Sequence, residues 1–241
     1  MCALGGYCRL NGSFAEVREG MRRLFLALQD RGRHAAGMAW PEDGGVQVIK
    51  QPGPASALVA RRWDGVPEDP CWLMLHCRWA THGSPSRNAN NHPVTRCGLT
   101  LTHNGVVTNK AAVMRALGLK PQAAVDTEAI VAAIAVAGVR AAVQMLRGSM
   151  SLAWVAEARP DRLRLYTNGR SPLVIGRLAC GDFVYASRLH HLEFAGLDLA
   201  DVADAEPGVV YTLTPKGLRR RWVGAGPSAK AEKEAPSARS A

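Results

Sequence analysis

The chain opens with a run of small and apolar residues, 2–8, that contains Gly5 and Gly6 and reads as a strand beginning at the first residues. The period then changes. Val17, Met21, Leu24, Phe25 and Leu28 recur at helical spacing, with Arg18, Arg22, Arg23 and Asp30 on other faces, and this predicts a helix. Strand-like runs follow at 36–40, 46–49, 72–77 and 99–102, and the Gly/Pro/Asn-rich stretches between them, 84–93 included, read as loops. Two Ala-rich segments, 110–117 and 127–146, predict helices, and strands resume at 151–156, 163–167, 173–175, 183–186 and 209–213.

This order is strand, helix, strands, helices, strands, without the regular alternation that builds a parallel doubly wound sheet. It predicts an α+β fold of two mainly antiparallel sheets with helices outside them. From Gly224 onward the chain holds Ala, Ser, Pro and charge but no large apolar residue, so a folded domain is expected over 2–223 and a disordered basic tail over 224–241. No apolar run is expected to reach the roughly 18–20 residues of a membrane helix, and no charged-then-apolar leader stands at the start, so a cytoplasmic protein without a membrane partner is expected. The sequence shows no internal repeat, phosphate loop or dinucleotide fingerprint.

The formal charge is +10, and Arg219, Arg220, Arg221 and Lys230 add to it near the end of the 241 residues. Long-range attraction would favour an acidic protein or a nucleic acid; a solvated basic surface is the plainer reading. The six cysteines lack paired CxxC spacing, so reduced thiols are expected.

Cys2 is the most informative residue. A small residue at position 2 permits removal of Met1, after which one residue carries both a thiol and a free amine. With reference pKa values of about 8.5 and about 7.7–8.0, the amine can take the thiol proton near neutral pH. Alternatively, Cys2 is a small hydrophobe beside an ordinary terminus. Arg78, Trp79, Thr81 and His82 follow an apolar strand and form a binding rim, in which Arg78 could fork onto a carboxylate or make a structural ion pair. Asn104 and Gly105 end another strand; together they could hold an oxyanion, or simply make a turn. Asp126 and Thr127 read first as a helix N-cap. No ligand pair among His76, His82, His92, His103 and the cysteines has finger-like spacing, so no metal is expected.

In order along the chain, these pieces resemble the class II glutamine amidotransferase domain, an N-terminal-nucleophile hydrolase family that includes the glutaminase halves of glucosamine-6-phosphate synthase and amidophosphoribosyltransferase. Residues 2–6 (CALGG) resemble the terminal motif, 31–37 (RGRHAAG) the RGxDxxG loop and 76–83 (HCRWATHG) the HxRWATHG segment. Residues 88–93, 103–105, 126–128, 146–153, 168–173 and 185–187 continue the match, which spans about 2–215. The resemblance implies a four-layer αββα sandwich and hydrolysis of L-glutamine through a γ-glutamyl thioester on Cys2. It implies an oxyanion hole at Asn104 and Gly105, a carboxylate clamp at Arg78 with Thr81, His82 and Trp79 beside it, an ammonium clamp at Asp126, and a loop residue near the site at Arg31. Two departures stand out: Ala3 replaces a frequent Gly, and His34 replaces the loop Asp, which puts that loop's hydrogen bonds in question.

No synthase domain is expected in this chain, and the expected partner besides glutamine is a separate ammonia-acceptor synthase subunit. No metal or organic cofactor is required by this chemistry. Two other readings remain open: an amidohydrolase for a different amide, and a nucleic-acid-associated or regulatory binding protein on an inactive glutaminase scaffold.

Overall fold

A computed structural model describes residues 1–226. In chain order its elements are β1 (Ala3–Cys8), α1 (Phe14–Leu28), β2 (Ala35–Glu42), β3 (Gly45–Pro52), α2 (Ala55–Arg62), β4 (Trp72–Arg78), β5 (Val94–Arg96), β6 (Leu99–Val107) and α3 (Lys110–Ala116). There follow α4 (Thr127–Met145), β7 (Gly148–Ala156), β8 (Arg159–Thr167), β9 (Val174–Leu178), β10 (Phe183–Ala186), α5 (Leu189–Ala195), β11 (Leu199–Asp204), β12 (Val209–Thr214) and β13 (Gly217–Trp222).

One sheet has seven strands in the order β11-β9-β10-β1-β4-β2-β3, and the other has six in the order β13-β12-β8-β7-β6-β5. Every neighbouring pair is antiparallel. Alternation along β1 shows how the layers form: Ala3 and Tyr7 face Phe14, Leu24 and Leu28 of α1, while Leu4 and Cys8 face the second sheet. Between the sheets lie Trp72, Met74, Tyr185, Leu163, Leu165 and Leu213, and outside the second sheet α3 and α4 cover Leu101, Leu152 and Trp154. The result is the expected αββα sandwich.

Four sequence expectations change. Asn104 and Gly105 lie inside β6, opposite Ser151 and Met150 of β7, rather than in a turn after it. Residues 127–145 are long and apolar enough by length and composition to cross a membrane, contrary to the expectation, yet half of that stretch is buried as a core helix. Gly138 interrupts it with non-helical angles, and Glu128 makes ion pairs with Arg96 and Lys110 at its start. The short helices α2 and α5 and the strands β5, β11 and β13 were not predicted. Finally, residues 224–226 of the expected tail pack against the domain, with the Gly224 carbonyl accepting from the Tyr166 hydroxyl at 3.0 Å, while 227–241 lie outside the described residues.

The end of β1 is fastened to β10 by one carboxylate. Asp182 accepts the Tyr7 hydroxyl at 2.5 Å and the backbone N–H groups of Leu10, Asn11 and Gly12 at 2.6, 2.8 and 2.9 Å. Burial works to raise its pKa, but these donors hold it below the ordinary value. Asp182→Ala would strand a buried phenol and three N–H groups, so a loss of about 3 kcal/mol or more is expected in urea unfolding. A loss under about 1 kcal/mol would show that the cluster is not a fastening.

Candidate active site

Register places Cys2. Ala3 pairs with Cys77 across β1 and β4, so the preceding residue falls beside Arg78 and Trp79 at the end of β4. The Cys2 Sγ accepts the Trp79 N–H at 3.3 Å and lies 3.5 Å from the Trp79 carbonyl, and the Cys2 carbonyl accepts from Arg31 Nε at 2.9 Å. Burial raises the thiol pKa; the Trp79 N–H, the positive terminus and Arg78 pull the other way. As the chain stands here, Met1 still carries the α-amine.

Cys2, Arg31, Trp79, Thr81, Asn104 and Gly105 line one cavity of about 170 Å³, together with Met1, Val106, Ser149 and residues 170–172. A larger cleft of about 500 Å³ lies between α4 and the β7–β8 hairpin and contains none of the predicted site residues. Gly105 is required by geometry: its φ is +130°, and a Cβ there would sit 2.0 Å from the Ser149 carbonyl. Gly32 brings the RGRH loop against the end of β4, where a Cβ would meet the Arg78 carbonyl carbon at 2.5 Å.

The Asn104 side chain is oriented by a residue to which sequence reasoning gave no role. Ser187 Oγ donates to the Leu4 carbonyl at 3.2 Å, so toward Asn104 it can only accept, and it takes Asn104 Nδ2–H at 2.6 Å. That leaves the second Nδ2 proton for another acceptor. Ser187 was visible only as the last residue of a matching motif, because a serine after a strand carries no distinctive signal.

His34 answers the question raised by its departure from the loop pattern. Its Nδ1 accepts the Ala80 N–H at 2.9 Å, and its ring packs at a tilt of 31° against Trp79 with centroids 4.4 Å apart. Ala3 is fully buried within β1, its methyl accommodated against α1.

Three predicted residues stand outside the cavity wall. Arg78 is buried and donates to Asn91 Oδ1 at 3.0 Å, to the Gly83 carbonyl at 2.9 Å and to the His82 carbonyl. The His82 ring lies against Thr81 Oγ1 at 3.3 Å. Asp126 caps α4, as its first reading held, and accepts Val107 N–H at 2.6 Å and Thr127 N–H at 3.0 Å. Both Arg78 and Asp126 are close enough to Cys2 to act on its thiol electrostatically.

Behind the cavity, three buried histidines form a network with a single consistent proton arrangement. His103 Nε2 faces the Ser149 carbonyl at 3.1 Å and must donate, so its Nδ1 accepts from Thr127 Oγ1 at 3.1 Å. Thr127 must then accept from His92 Nε2–H at 2.7 Å, and His76 Nε2–H donates to the His103 carbonyl at 3.1 Å. Each ring holds one proton.

A thiol one residue from the start of the chain, an amide and a positive-φ glycine across the cavity, and an αββα sandwich match the arrangement of N-terminal-nucleophile hydrolases. The comparisons narrow the class. A family model described as a glutamine amidotransferase domain matches residues 76–194. Glutamine–fructose-6-phosphate aminotransferases from Symbiobacterium thermophilum and Aquifex aeolicus are 34% and 30% identical over 90% of this chain. The chain spans 36% and 38% of those relatives. Among solved structures, the glutamine phosphoribosylpyrophosphate amidotransferase of B. subtilis shares the fold at a TM-score of 0.73 and 20% identity, covering 93% of this chain and 49% of that one. A glutamine aminotransferase class-II domain protein from Silicibacter pomeroyi matches at a TM-score of 0.55 and 14% identity, over 92% of this chain and 100% of its own. The chain belongs to the class II, N-terminal-nucleophile glutamine amidotransferase family.

The buried histidines generate a pH dependence. Burial lowers the pKa of His76 to about 3, holds that of His92 well below the ordinary value and lowers that of His103. In the unfolded chain they titrate near pH 6.5, so their stabilising contribution is complete above about pH 6.5 and is lost as pH falls toward the folded values. The expected slope is about 1.4 kcal/mol per pH unit for each ring still neutral in the fold. Urea unfolding at about pH 7.5 and about pH 5.5 checks this, and equal stabilities would contradict it.

Proposed function

We propose that the domain hydrolyses L-glutamine to glutamate and ammonia through a thioester on Cys2, with the ammonia consumed by a separate acceptor synthase. The observation carrying the reading is that Cys2, from the terminus of one sheet, and Asn104 with Gly105, from a strand of the other, wall a single cavity. After Met1 is removed, the Cys2 amine takes the thiol proton and Sγ attacks the side-chain amide carbon of glutamine. The free Asn104 Nδ2–H and the Gly105 N–H receive the oxyanion. The amine returns the proton to the departing nitrogen, ammonia leaves, and water then cleaves the thioester to glutamate and thiol.

Substrate selection is assigned to Arg78 for the α-carboxylate and Asp126 for the α-ammonium, with Thr81, His82, Trp79 and Arg31 shaping the rim. Arg78 uses three of its five N–H donors on Asn91 Oδ1 and the carbonyls of residues 82 and 83, which leaves Nε–H and one Nη1–H for a carboxylate. Unpairing either charge is costly, and this favours free glutamine over peptide amides. A cytoplasmic setting goes with this reading, supported by six thiols that are all unpaired.

Steady-state glutamate release is the test. Cys2→Ala should abolish turnover, and Asn104→Ala should lower kcat by roughly 10²–10³, the usual effect of losing one oxyanion donor. Turnover unaffected by Asn104→Ala, or no turnover in protein carrying a free Cys2 amine, would contradict the assignment.

A further inference from the structure

Asp30 ends the turn after α1, and His190 and His191 stand in the first turn of α5, which packs beside α1 on the same face of the seven-stranded sheet. Successive helical residues point about 100° apart. These two imidazoles nevertheless converge on one carboxylate: His190 Nε2 lies 3.2 Å from Asp30 Oδ2 and His191 Nε2 lies 3.1 Å from Asp30 Oδ1. The rings are 4.2 Å apart between centroids, and one donor atom from each residue falls within 4.8 Å of the others.

We propose that Asp30, His190 and His191 form a binding site for one divalent transition-metal ion, with zinc the best match. Two imidazole nitrogens and a carboxylate oxygen are borderline donors of the kind zinc takes. Bonds of about 2.0–2.2 Å in a tetrahedron place donors roughly 3.3 Å apart, which both nitrogen-to-carboxylate separations already match, while the two nitrogens lie within 4.8 Å of each other. Each neutral imidazole coordinates through an unprotonated Nε2, its single ring proton moving to Nδ1, so both imidazole ligands stay neutral. His191 is buried, whereas Asp30 and His190 are about half exposed, which leaves the fourth position to water. The guanidiniums of Arg31 and Arg188 act on this neighbourhood and oppose a cation, so affinity rests on the three direct bonds.

The site's position gives it a structural role. Asp30 directly precedes Arg31, which holds the Cys2 carbonyl, and His190 closely follows Ser187, which orients Asn104. An ion there joins the two segments that carry these supports. It stands independently of the glutamine reading.

The experiment is zinc titration of the untagged full chain carrying Cys2→Ala, which removes the competing terminal aminothiol, followed by calorimetry and thermal unfolding. One equivalent of zinc should bind and raise Tm, with reversal by a chelator. His190→Ala and Asp30→Asn, both at half-exposed side chains, should each weaken binding at least tenfold, the loss caused even by outer partners of a ligand. Cobalt in place of zinc should give a tetrahedral spectrum without thiolate charge transfer, excluding Cys97 and Cys180. No stoichiometric binding, binding unchanged in both variants, or a thiolate band would overturn the proposal.

Discussion

The site depends on the burial of β1 at the interior of its sheet. Paired on one side with β10 and on the other with β4, the strand cannot slide without moving Leu4 from the inter-sheet core to the helix side. That register fixes Cys2 next to the Trp79 peptide and directs the chain terminus toward the second sheet. A terminus would ordinarily fray. Here the strand that carries it is fastened at its far end by Asp182 and at its near end by Ser187, whose N–H and Oγ–H both reach the Leu4 carbonyl.

The second sheet supplies what the first cannot. β6 runs through Asn104 and Gly105 and is held at those residues by β7, so the amide and the glycine N–H are carried on a paired strand instead of a mobile turn. Ser187 links the two halves by accepting from Asn104 while donating to β1. The three buried histidines near them are neutral, and the side-chain charges that act on the Cys2 thiol are those of Arg78 and Asp126. Pre-set donors of this kind lose little to reorganisation during a reaction.

Much of this was legible in the sequence because it rests on local signals. The long apolar periods predict α1, α4 and the interior strands, and the ordered motifs single out Cys2, Arg78, Asn104 and Asp126. Of these, Cys2 and Asn104 share one cavity, while Arg78 and Asp126 stand outside its wall. What escaped depends on tertiary context. β13 is an edge strand whose arginines face solvent, so alternation is hidden by charge, and α2 and α5 span too few turns for a period to emerge. Asn-Gly reads as a turn in isolation; only pairing with β7 keeps it extended. The substitution at His34 was opaque because its compensation, the Ala80 N–H, lies on another loop. Asp30 and the two adjacent histidines are 160 residues apart and meet only because α1 and α5 pack together.

The account turns on Cys2 being a terminal nucleophile in a pocket that recognises glutamine. Intact-mass analysis before and after treatment with a glutamine-mimicking electrophile tests this most directly, with glutamine as competitor and Cys2→Ala as control. The account predicts a chain lacking Met1 that gains one adduct on Cys2, blocked by excess glutamine. A retained Met1, or labelling of Cys2 that glutamine fails to suppress, would contradict it.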